Sequence, residues 1–549
     1  MSFQPPTSKC TASIPGLGTV EGLQFANGVQ QFSGIPYAHL PKRWTRSILK
    51  SAWDNGYHDG TKLGNNCPSP ITEGDDADDL VPVPPAAHFQ ASQIVDELSG
   101  LVMNIVIPHA PRRNDNPLPV MVYIHGGSLL YGGANLPIFD AVNVVSHSIT
   151  IGSPIICINF NYRVGIGGFL AGKAIAQELN QDGHAGSGNF GFTDQQVAFD
   201  WVQAYIGFLG GDKQNVTAVG ESAGGISISN QLVAATPPVF HRAVCMSGLS
   251  SAIPAFTMEQ HDRFFGDVCR YFQIDPAGPD ALDRLRDIPQ QELANATPAI
   301  QGVPSGTGNP CMDEWFYRPG IDPRQIHAPP SWLKGYMIGD TYHEGVIFHI
   351  NLLQESYASI RHILKTHIKS SSHADEILSA YGITEDLVHE ALLERVEHMC
   401  GDAIFKIPNF VMMQECMRQK IVENNLFLYH FDQRSRIKNV FEGTAYHAHE
   451  LLYLFGNLDN EMNEDEKTMA REFASAWIRF VNGAAPWTAE GGRKWMVWGP
   501  DSQMGVKSEA DDEAVRDYQR IEMVLRLGDG KAWMQWVAAI DALVNRRKF

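Results

Sequence analysis

The stretch "VTAVGESAGGISI" contains one serine, Ser222, with Gly220 two residues before it and Gly224 two residues after it. Residues 215–219 alternate β-branched and apolar side chains, and residues 226–233 carry apolar side chains at helical spacing, which predicts a sharp turn from a strand into a helix. Glycine neighbours let the hydroxyl stand clear at a helix N-terminus, where amide dipoles favour negative charge. The pattern indicates an acyl-transfer nucleophile, but a glycine-rich turn that merely packs has the same pattern, so partner residues must decide.

Such a nucleophile needs N–H donors for an oxyanion, a base, and an acid that orients the base. A strand-like run at 120–124 ends in His125, Gly126 and Gly127, and glycines after a strand can turn their backbone N–H groups into a site. We expect the donors to be Gly126, Gly127 and Ala223, the residue after the nucleophile. His125 is expected to hold the loop rather than to act as a base.

Candidates for the acid and the base follow downstream, in that order. A predicted strand at 335–338 precedes a loop with Asp340 and Glu344, and the later stretch "FEGTAYHAHELL" contains His447 and His449. Each group follows a candidate strand, as the positions of such partners require. Residue type and order leave both choices open, because each of these residues could also be a solvated loop residue.

Seven stretches resemble, in the same order, the sequence blocks of the type B carboxylesterases, a family that includes cholinesterases and fungal lipases. They are "FSGIPYA", "IHGGSLLYGG", "NYRVGIGGFL", "GNFGFTDQQVAFDWVQAYIGFLGGD", "VTAVGESAGGISI", "MSGLS" and "HAHELLYLFGN". The resemblance implies an α/β-hydrolase fold: a central, mostly parallel, twisted sheet flanked by helices, with large loop and helical insertions around an active-site gorge. Because the blocks run from 32 to 456 without a linker or repeat, we expect residues 1–549 to form a single domain.

The resemblance also implies roles for individual residues. Ser222 corresponds to the nucleophile of a Ser-Glu-His triad, Glu344 to its acid and His447 to its base. Asp340 and His449 do not align with the family's triad positions, so we expect them to lie in the layer of residues around the triad or at the surface.

Two further matches concern residues beside the triad. Glu221 corresponds to a buried glutamate next to the nucleophile. Ser227 corresponds to a serine that supports the acid.

The chain departs from the family at two places. The family usually closes a disulfide between two cysteines of which this chain has only one, Cys67, because Gly100 stands in the second position. Cholinesterases bind a quaternary amine with a tryptophan that has no counterpart here, since no tryptophan occurs between Trp53 and Trp201. A choline ester is therefore not the expected substrate.

Composition excludes several classes of partner. The formal net charge is −19, and no run of more than three lysine or arginine residues occurs, so we expect neither nucleic acid nor a membrane as a partner. No apolar segment reaches 18 residues. The acidic cluster at 73–79 lacks the ligand spacing of a calcium loop and is expected to be a solvated loop, so we expect no metal and no cofactor.

The cysteines and the N-terminus predict a cytoplasmic protein. The eight cysteines are scattered without C-x-x-C spacing and indicate reduced thiols rather than a disulfide framework. The first 16 residues contain neither a basic region nor an apolar run, so no secretory signal is expected.

Two classes of function remain. The first is a hydrolase that cleaves a small-molecule carboxylic ester through an acyl-enzyme; a lactonase, thioesterase or amidase with the same triad stays open. The second is a non-catalytic, cholinesterase-like binding protein, because the family includes adhesion proteins that have lost the serine. The presence of Ser222 favours the enzyme. The identity of the ester and the oligomeric state are left open.

Overall fold

The computed structural model describes residues 5–71, 82–109 except Ala91 and Gln93, 116–300, 308–419, 425–488, and 493–544 except Lys531. The acidic cluster at 73–79 lies outside these residues.

A mixed sheet of 13 strands runs through the molecule, and a separate two-stranded sheet pairs β4 with β5. The strands are β1 (Pro6–Ile14), β2 (Gly18–Phe25), β3 (Val29–Pro36), β4 (Ala38–His39), β5 (Ile48–Leu49), β6 (Tyr57–Asp59), β7 (Val102–Pro108), β8 (Leu118–Ile124), β9 (Ile156–Phe160), β10 (Gly211–Glu221), β11 (Arg242–Met246), β12 (Gly335–Thr341), β13 (Leu426–Phe431), β14 (Lys494–Trp498) and β15 (Met504–Ser508). Their order in the large sheet is β1-β2-β3-β7-β9-β8-β10-β11-β12-β13-β14-β15, with β6 paired to β2. All neighbours from β9 to β14 are parallel, and the pairs towards both edges are antiparallel.

Helices connect the parallel strands and cover both faces of the sheet. They are α1 (Val142–Thr150), α2 (Gly165–Phe169), α3 (Lys173–Gln181), α4 (Phe190–Tyr205), α5 (Ala223–Leu232), α6 (Met258–Tyr271), α7 (Ala281–Asp287), α8 (Gln290–Asn295), α9 (Thr297–Ile300), α10 (His349–Leu352), α11 (Tyr357–His367), α12 (Ser371–Ala380), α13 (His389–Gly401), α14 (Ile407–Gln419), α15 (Glu450–Phe455), α16 (Glu464–Val481), α17 (Glu509–Arg516), α18 (Tyr518–Arg526) and α19 (Ala532–Val544). A π-helical segment, Asp402–Lys406, joins α13 to α14. Within the described ranges, none of the helices combines the length and apolar character needed to cross a bilayer.

The central strands are apolar on both faces because each face packs against helices. Along β8, Val120, Val122 and Ile124 enter one hydrophobic cluster, and Met121 and Tyr123 enter another. Successive side chains of a strand point to opposite faces, so this split shows two cores, one on each side of the sheet. The predicted architecture of a sheet flanked by helices is confirmed.

The parallel run places the carboxyl ends of β8, β10, β11, β12 and β13 along one edge of the sheet. Ligands of open α/β sheets bind outside these carboxyl ends. The loops that begin there carry the residues singled out from the sequence, so these residues meet although they are far apart in the chain.

All eight cysteines lie in the described ranges and are free thiols. Seven of them are buried, and Cys10 is half-buried. A Cβ atom on Gly100 would lie 2.9 Å from the Cys67 amide nitrogen. Gly100 therefore lies directly against Cys67, which agrees with the position inferred for the missing cysteine.

Candidate active site

Ser222 forms the turn between β10 and α5, with φ 53° and ψ −124°. Residues other than glycine rarely adopt a positive φ, so this turn is strained. The flanking glycines are required by packing: a Cβ on Gly224 would lie 2.0 Å from the Ile124 carbonyl oxygen, and one on Gly220 would lie 2.4 Å from the Gly224 carbonyl carbon. The Ser222 amide donates a hydrogen bond of 2.9 Å to the Met246 carbonyl, which ties the turn to the end of β11.

The glycine loop after β8 packs against this turn. A Cβ on Gly126 would lie 3.1 Å from the Ser222 Cβ and 2.9 Å from the Glu221 carbonyl oxygen, so only glycine fits there. Gly127 has φ 107°, a conformation that favours glycine. Within the described part of the chain, the amides of Gly126 and Gly127 donate no hydrogen bond to another group, and both residues are half-buried. The amides are therefore available to a ligand beside Ser222.

His125 holds this loop from inside. Its ring stacks on Tyr162 at 4.3 Å between centroids, and the Tyr162 hydroxyl donates to the His125 carbonyl at 2.9 Å. Burial lowers the pKa of His125 to about 4, so the ring is neutral near pH 7. These contacts support a structural role rather than that of a base.

His447 and Glu344 are hydrogen-bonded to each other. The His447 Nδ1 atom donates to Glu344 Oε2 at 2.5 Å, and both side chains are buried. An isolated β-bridge between His343 and Tyr446 places their two loops side by side. His447 Nε2 lies 3.1 Å from Glu221 Oε1, so the second ring nitrogen faces the turn that carries the candidate nucleophile.

The second carboxylate oxygen of Glu344 is held by two donors. Ser247 Oγ donates to Glu344 Oε1 at 2.7 Å, and the Thr341 amide donates at 2.6 Å. Both donors lie at the carboxyl ends of strands, Ser247 after β11 and Thr341 in β12. With these contacts, both oxygens of the carboxylate are occupied, which fixes its orientation.

The role implied for Ser227 is wrong. Ser227 lies inside α5, where its hydroxyl donates to the Ala223 carbonyl at 2.7 Å and accepts from Gln195 Nε2 at 2.9 Å. One turn into the helix, it faces α4 rather than the loop of the acid. The serine that contacts Glu344 is Ser247, because β11 lies next to β12 in the sheet.

Two further carboxyl groups lie near His447. Glu221 is buried, and burial, with the nearby Glu344, raises its pKa to about 7 although His447 favours its charged form. Glu450 was not singled out from the sequence; burial, Glu221 and Glu344 together raise its pKa well above the usual range. The Tyr429 hydroxyl donates to Glu450 Oε1 at 3.4 Å. The surroundings of Glu450 therefore favour its uncharged form.

The nearby carboxyl groups change the pKa of His447. Burial lowers the pKa of His447, but Glu221 and Glu344 outweigh that effect and raise it to about 9. The raised pKa means that the surroundings stabilise the imidazolium, the form that a general base reaches when it accepts a proton.

Asp340 and His449 lie outside the Glu344–His447 pair, as expected, but neither is at the surface. Both are buried. Asp340 Oδ1 accepts a hydrogen bond from His430 Nδ1 at 2.7 Å. His449 Nδ1 donates to the Gln433 carbonyl at 3.0 Å, and burial lowers its pKa.

Sequence reasoning missed Ser247, Glu450 and Phe405. Ser247 could have been found, because it follows β11, which lies between β10 and β12, and the ends of those two strands carry the candidate nucleophile and the candidate acid. Glu450 could not have been found, because nothing in the sequence distinguishes it from an ordinary glutamate in the first turn of a helix. The Phe405 ring lies 4.6 Å from the His447 ring and belongs to the π-helical segment, a distortion that frequently occurs at functional sites.

Comparison with known proteins agrees with this geometry. A model of the Carboxylesterase family matches residues 9–523. Lipase 3 of Yarrowia lipolytica is 28% identical over 491 residues, which are 86% of this chain and 89% of that protein. Para-nitrobenzyl esterase of Bacillus subtilis is 28% identical over 501 residues, 86% of this chain and 89% of that protein. Lipase 2 of Diutina rugosa is 31% identical over 404 residues, 68% of this chain and 69% of that protein.

Solved structures share the fold. A PNB esterase structure superposes with a TM-score of 0.72 at 24% identity and covers 93% of this chain and 99% of that one. A thermophilic PNB esterase gives a TM-score of 0.71 over 93% of this chain and all of that one. The chain therefore belongs to the carboxylesterase family and is a carboxylic ester hydrolase with the α/β-hydrolase fold.

Proposed function

We propose that the chain hydrolyses small-molecule carboxylic esters through a covalent acyl-enzyme at Ser222. His447 takes the hydroxyl proton as Ser222 Oγ attacks the carbonyl carbon, and Glu344 stabilises the imidazolium. The N–H groups of Gly126, Gly127 and Ala223 stabilise the oxyanion. The alcohol leaves with the proton from His447. Water then attacks the acyl carbon while His447 takes its proton, the bond to Ser222 Oγ breaks as His447 returns the proton to that oxygen, and the carboxylic acid is released.

One observation carries this proposal. In the neutral ring, the hydrogen bond from His447 Nδ1 to Glu344 Oε2 selects the tautomer in which Nε2 can accept a proton, and Nε2 lies 3.1 Å from Glu221 Oε1, next to the strained turn of Ser222. Ser222 is also half-buried, whereas His447 and Glu344 are buried, so a ligand can reach the nucleophile.

A covalent inhibitor tests the nucleophile. We expect an organophosphonate to add once to the protein at Ser222 and the adduct to be absent from Ser222→Ala, as measured by intact and peptide mass spectrometry. Ser227→Ala is the matched control, because Ser227 lies one turn further along α5 and should leave labelling unchanged. Equal labelling of Ser222→Ala and the wild type would contradict the proposal.

We also propose that the chain is located in the cytoplasm. This location is supported by the eight free cysteines, seven of them buried, which an oxidising compartment would not favour. Fractionation of the source cells with an antibody to the chain tests it: recovery in the cytosolic fraction is expected, and recovery in the medium would contradict it.

A further inference from the structure

Asp340 is a buried carboxylate that the proposed reaction does not use. It lies on β12, four residues before Glu344, and is the direct partner of His430 in the pairing of β12 with β13. Its Oδ1 atom accepts from His430 Nδ1 at 2.7 Å, and its Oδ2 atom accepts from Asn409 Nδ2 at 3.1 Å. Burial opposes its ionisation, but His430 and Arg516 outweigh this and hold its pKa below the usual range. Asp340 is therefore charged near pH 7.

The carboxylate is part of a network that reaches the C-terminal helices. His430 Nε2 lies 3.0 Å from the Tyr518 hydroxyl on α18. Arg516, at the end of α17, lies 3.9 Å from Asp340 Oδ1 and also pairs with Asp432 and Asp512. All of these groups are buried, so the network is shielded from solvent and its contacts are strong.

The backbone between Asp340 and Glu344 is held in place along its length. The Tyr342 amide donates to the Phe431 carbonyl at 2.9 Å, and the Tyr342 carbonyl accepts from Lys406 Nζ at 2.7 Å. The His343 amide donates to the Ala445 carbonyl at 2.8 Å, two residues before the base. Only short, constrained backbone separates Asp340 from the acid, so a shift at Asp340 is transmitted to it.

We propose that Asp340 is a positioning residue: its carboxylate, held by His430 and Asn409, anchors the end of β12 so that Glu344 meets His447. This inference rests on the proposed role of Glu344 as the acid. Asp340 does not touch the reacting atoms, and its effect passes through the Glu344–His447 contact. Loss of the anchor therefore weakens the base without changing how the substrate is held.

Asp340→Asn is the first test, because asparagine keeps the shape and removes the charge. We expect kcat to fall about 10- to 100-fold, the cost of a misplaced catalytic group, with KM within about twofold of the wild type. Asp512→Asn is the matched control: Asp512 is equally buried and pairs with the same Arg516, but it lies on α17. The control should lower the melting temperature and leave kcat within about twofold.

His430→Phe gives an independent variant should Asp340→Asn fail to fold. Phenylalanine removes the donor to Asp340 but can keep the stacking of His430 on Trp495, whose ring centroids lie 4.1 Å apart. We expect the same fall in kcat with unchanged KM. A folded Asp340→Asn or His430→Phe enzyme with wild-type kcat, or with a loss confined to KM, would overturn the proposal.

A double-mutant cycle separates positioning from general damage. If Asp340 acts through Glu344, Asp340→Asn should cost little further kcat in a Glu344→Gln background, whereas fully additive losses would overturn the positioning role. The Glu344→Gln single variant tests the acid itself. Wild-type kcat in that variant would show that the proposed triad is wrong, and the positioning role of Asp340 would then be wrong too.

Discussion

Three carboxyl groups lie close to one imidazole, and each differs from the others in its contacts. Glu344 is hydrogen-bonded to His447 and held by Ser247, so its orientation is fixed. Glu221 faces the opposite ring nitrogen, and Glu450 is buried and accepts a hydrogen bond from the Tyr429 hydroxyl. At the scale of residues, the contacts of each carboxyl group decide which one can orient the candidate base.

The proposed base, His447, and the proposed acid, Glu344, should be far less tolerant of substitution than their neighbours. We expect His447→Ala to lower kcat about 10³-fold or more, and Glu344→Gln to lower it strongly, because triad members act as a unit. His449→Ala is the control; it should mainly reduce stability, since the ring bonds the Gln433 carbonyl. Steady-state kinetics on an activated ester, with circular dichroism to confirm folding, measures this. A folded His447→Ala enzyme that keeps more than about a tenth of kcat would reverse the assignment.

The raised pKa of His447 predicts the pH dependence. Only the neutral imidazole can take the serine proton, so kcat/KM should fall as the pH drops below that pKa, which is raised from 6.5 to about 9. Glu221→Gln removes a carboxylate that favours the imidazolium, so the acid limb should move to lower pH. Glu259→Gln, an exposed glutamate on α6, should leave the profile unchanged. An acid limb in the same place in Glu221→Gln and wild type would refute this reading.

At the scale of elements, the strand-to-helix turn depends on close approach between backbones. α5 starts immediately after Ser222 and passes so near the end of β8 that Gly224 has no room for a side chain. The glycine loop after β8 meets the same turn from the other side, at Gly126. These contacts hold the candidate nucleophile and the candidate oxyanion donors in one rigid arrangement.

Gly224→Ala should therefore disturb both elements at once. Its Cβ would lie 2.0 Å from the Ile124 carbonyl oxygen, so α5 or β8 must shift, and we expect a loss of about 1 to 3 kcal/mol in the free energy of unfolding together with reduced kcat. Gly207→Ala is the control, since a Cβ there meets nothing within 4 Å. Urea unfolding followed by tryptophan fluorescence measures both. Equal stability of the two variants would contradict the packing argument.

At the scale of the whole molecule, one sheet extends from β1 near the N-terminus to β15 near residue 508. Helices on both faces bury two large hydrophobic clusters. A chain of this size can obtain its stability from apolar burial without covalent cross-links. That residues 1–549 form a single domain stays a prediction, which the continuous sheet supports.

The free cysteines lead to a test on the intact protein. A thiol titration in denaturant should find all eight cysteines, and added reductant should leave the melting temperature unchanged. Loss of a native disulfide would instead cost about 2 to 5 kcal/mol, which a thermal scan detects readily. Fewer than eight titratable thiols in protein purified without reductant would be evidence against this prediction.

The sequence alone determined the features that depend on local spacing. Gly220, Ser222 and Gly224 predict the strained turn, because a tight strand-to-helix turn needs small residues at those positions. The strand before His125 and its two glycines predict the loop that meets this turn. Resemblance to a family then selected Glu344 and His447 from the neighbouring Asp340 and His449.

Only the tertiary structure decided which distant side chains meet. Ser247 rather than Ser227 contacts Glu344 because β11 and β12 are neighbours in the sheet, and strand order is not encoded in local periodicity. The raised pKa of Glu450 and the pairing of Asp340 with His430 depend on burial and on strand register, which arise only when the chain is folded. Contacts between residues about 100 positions apart, such as Glu344 with His447, are created by the packing of the whole sheet, and this is why the site was complete only in three dimensions.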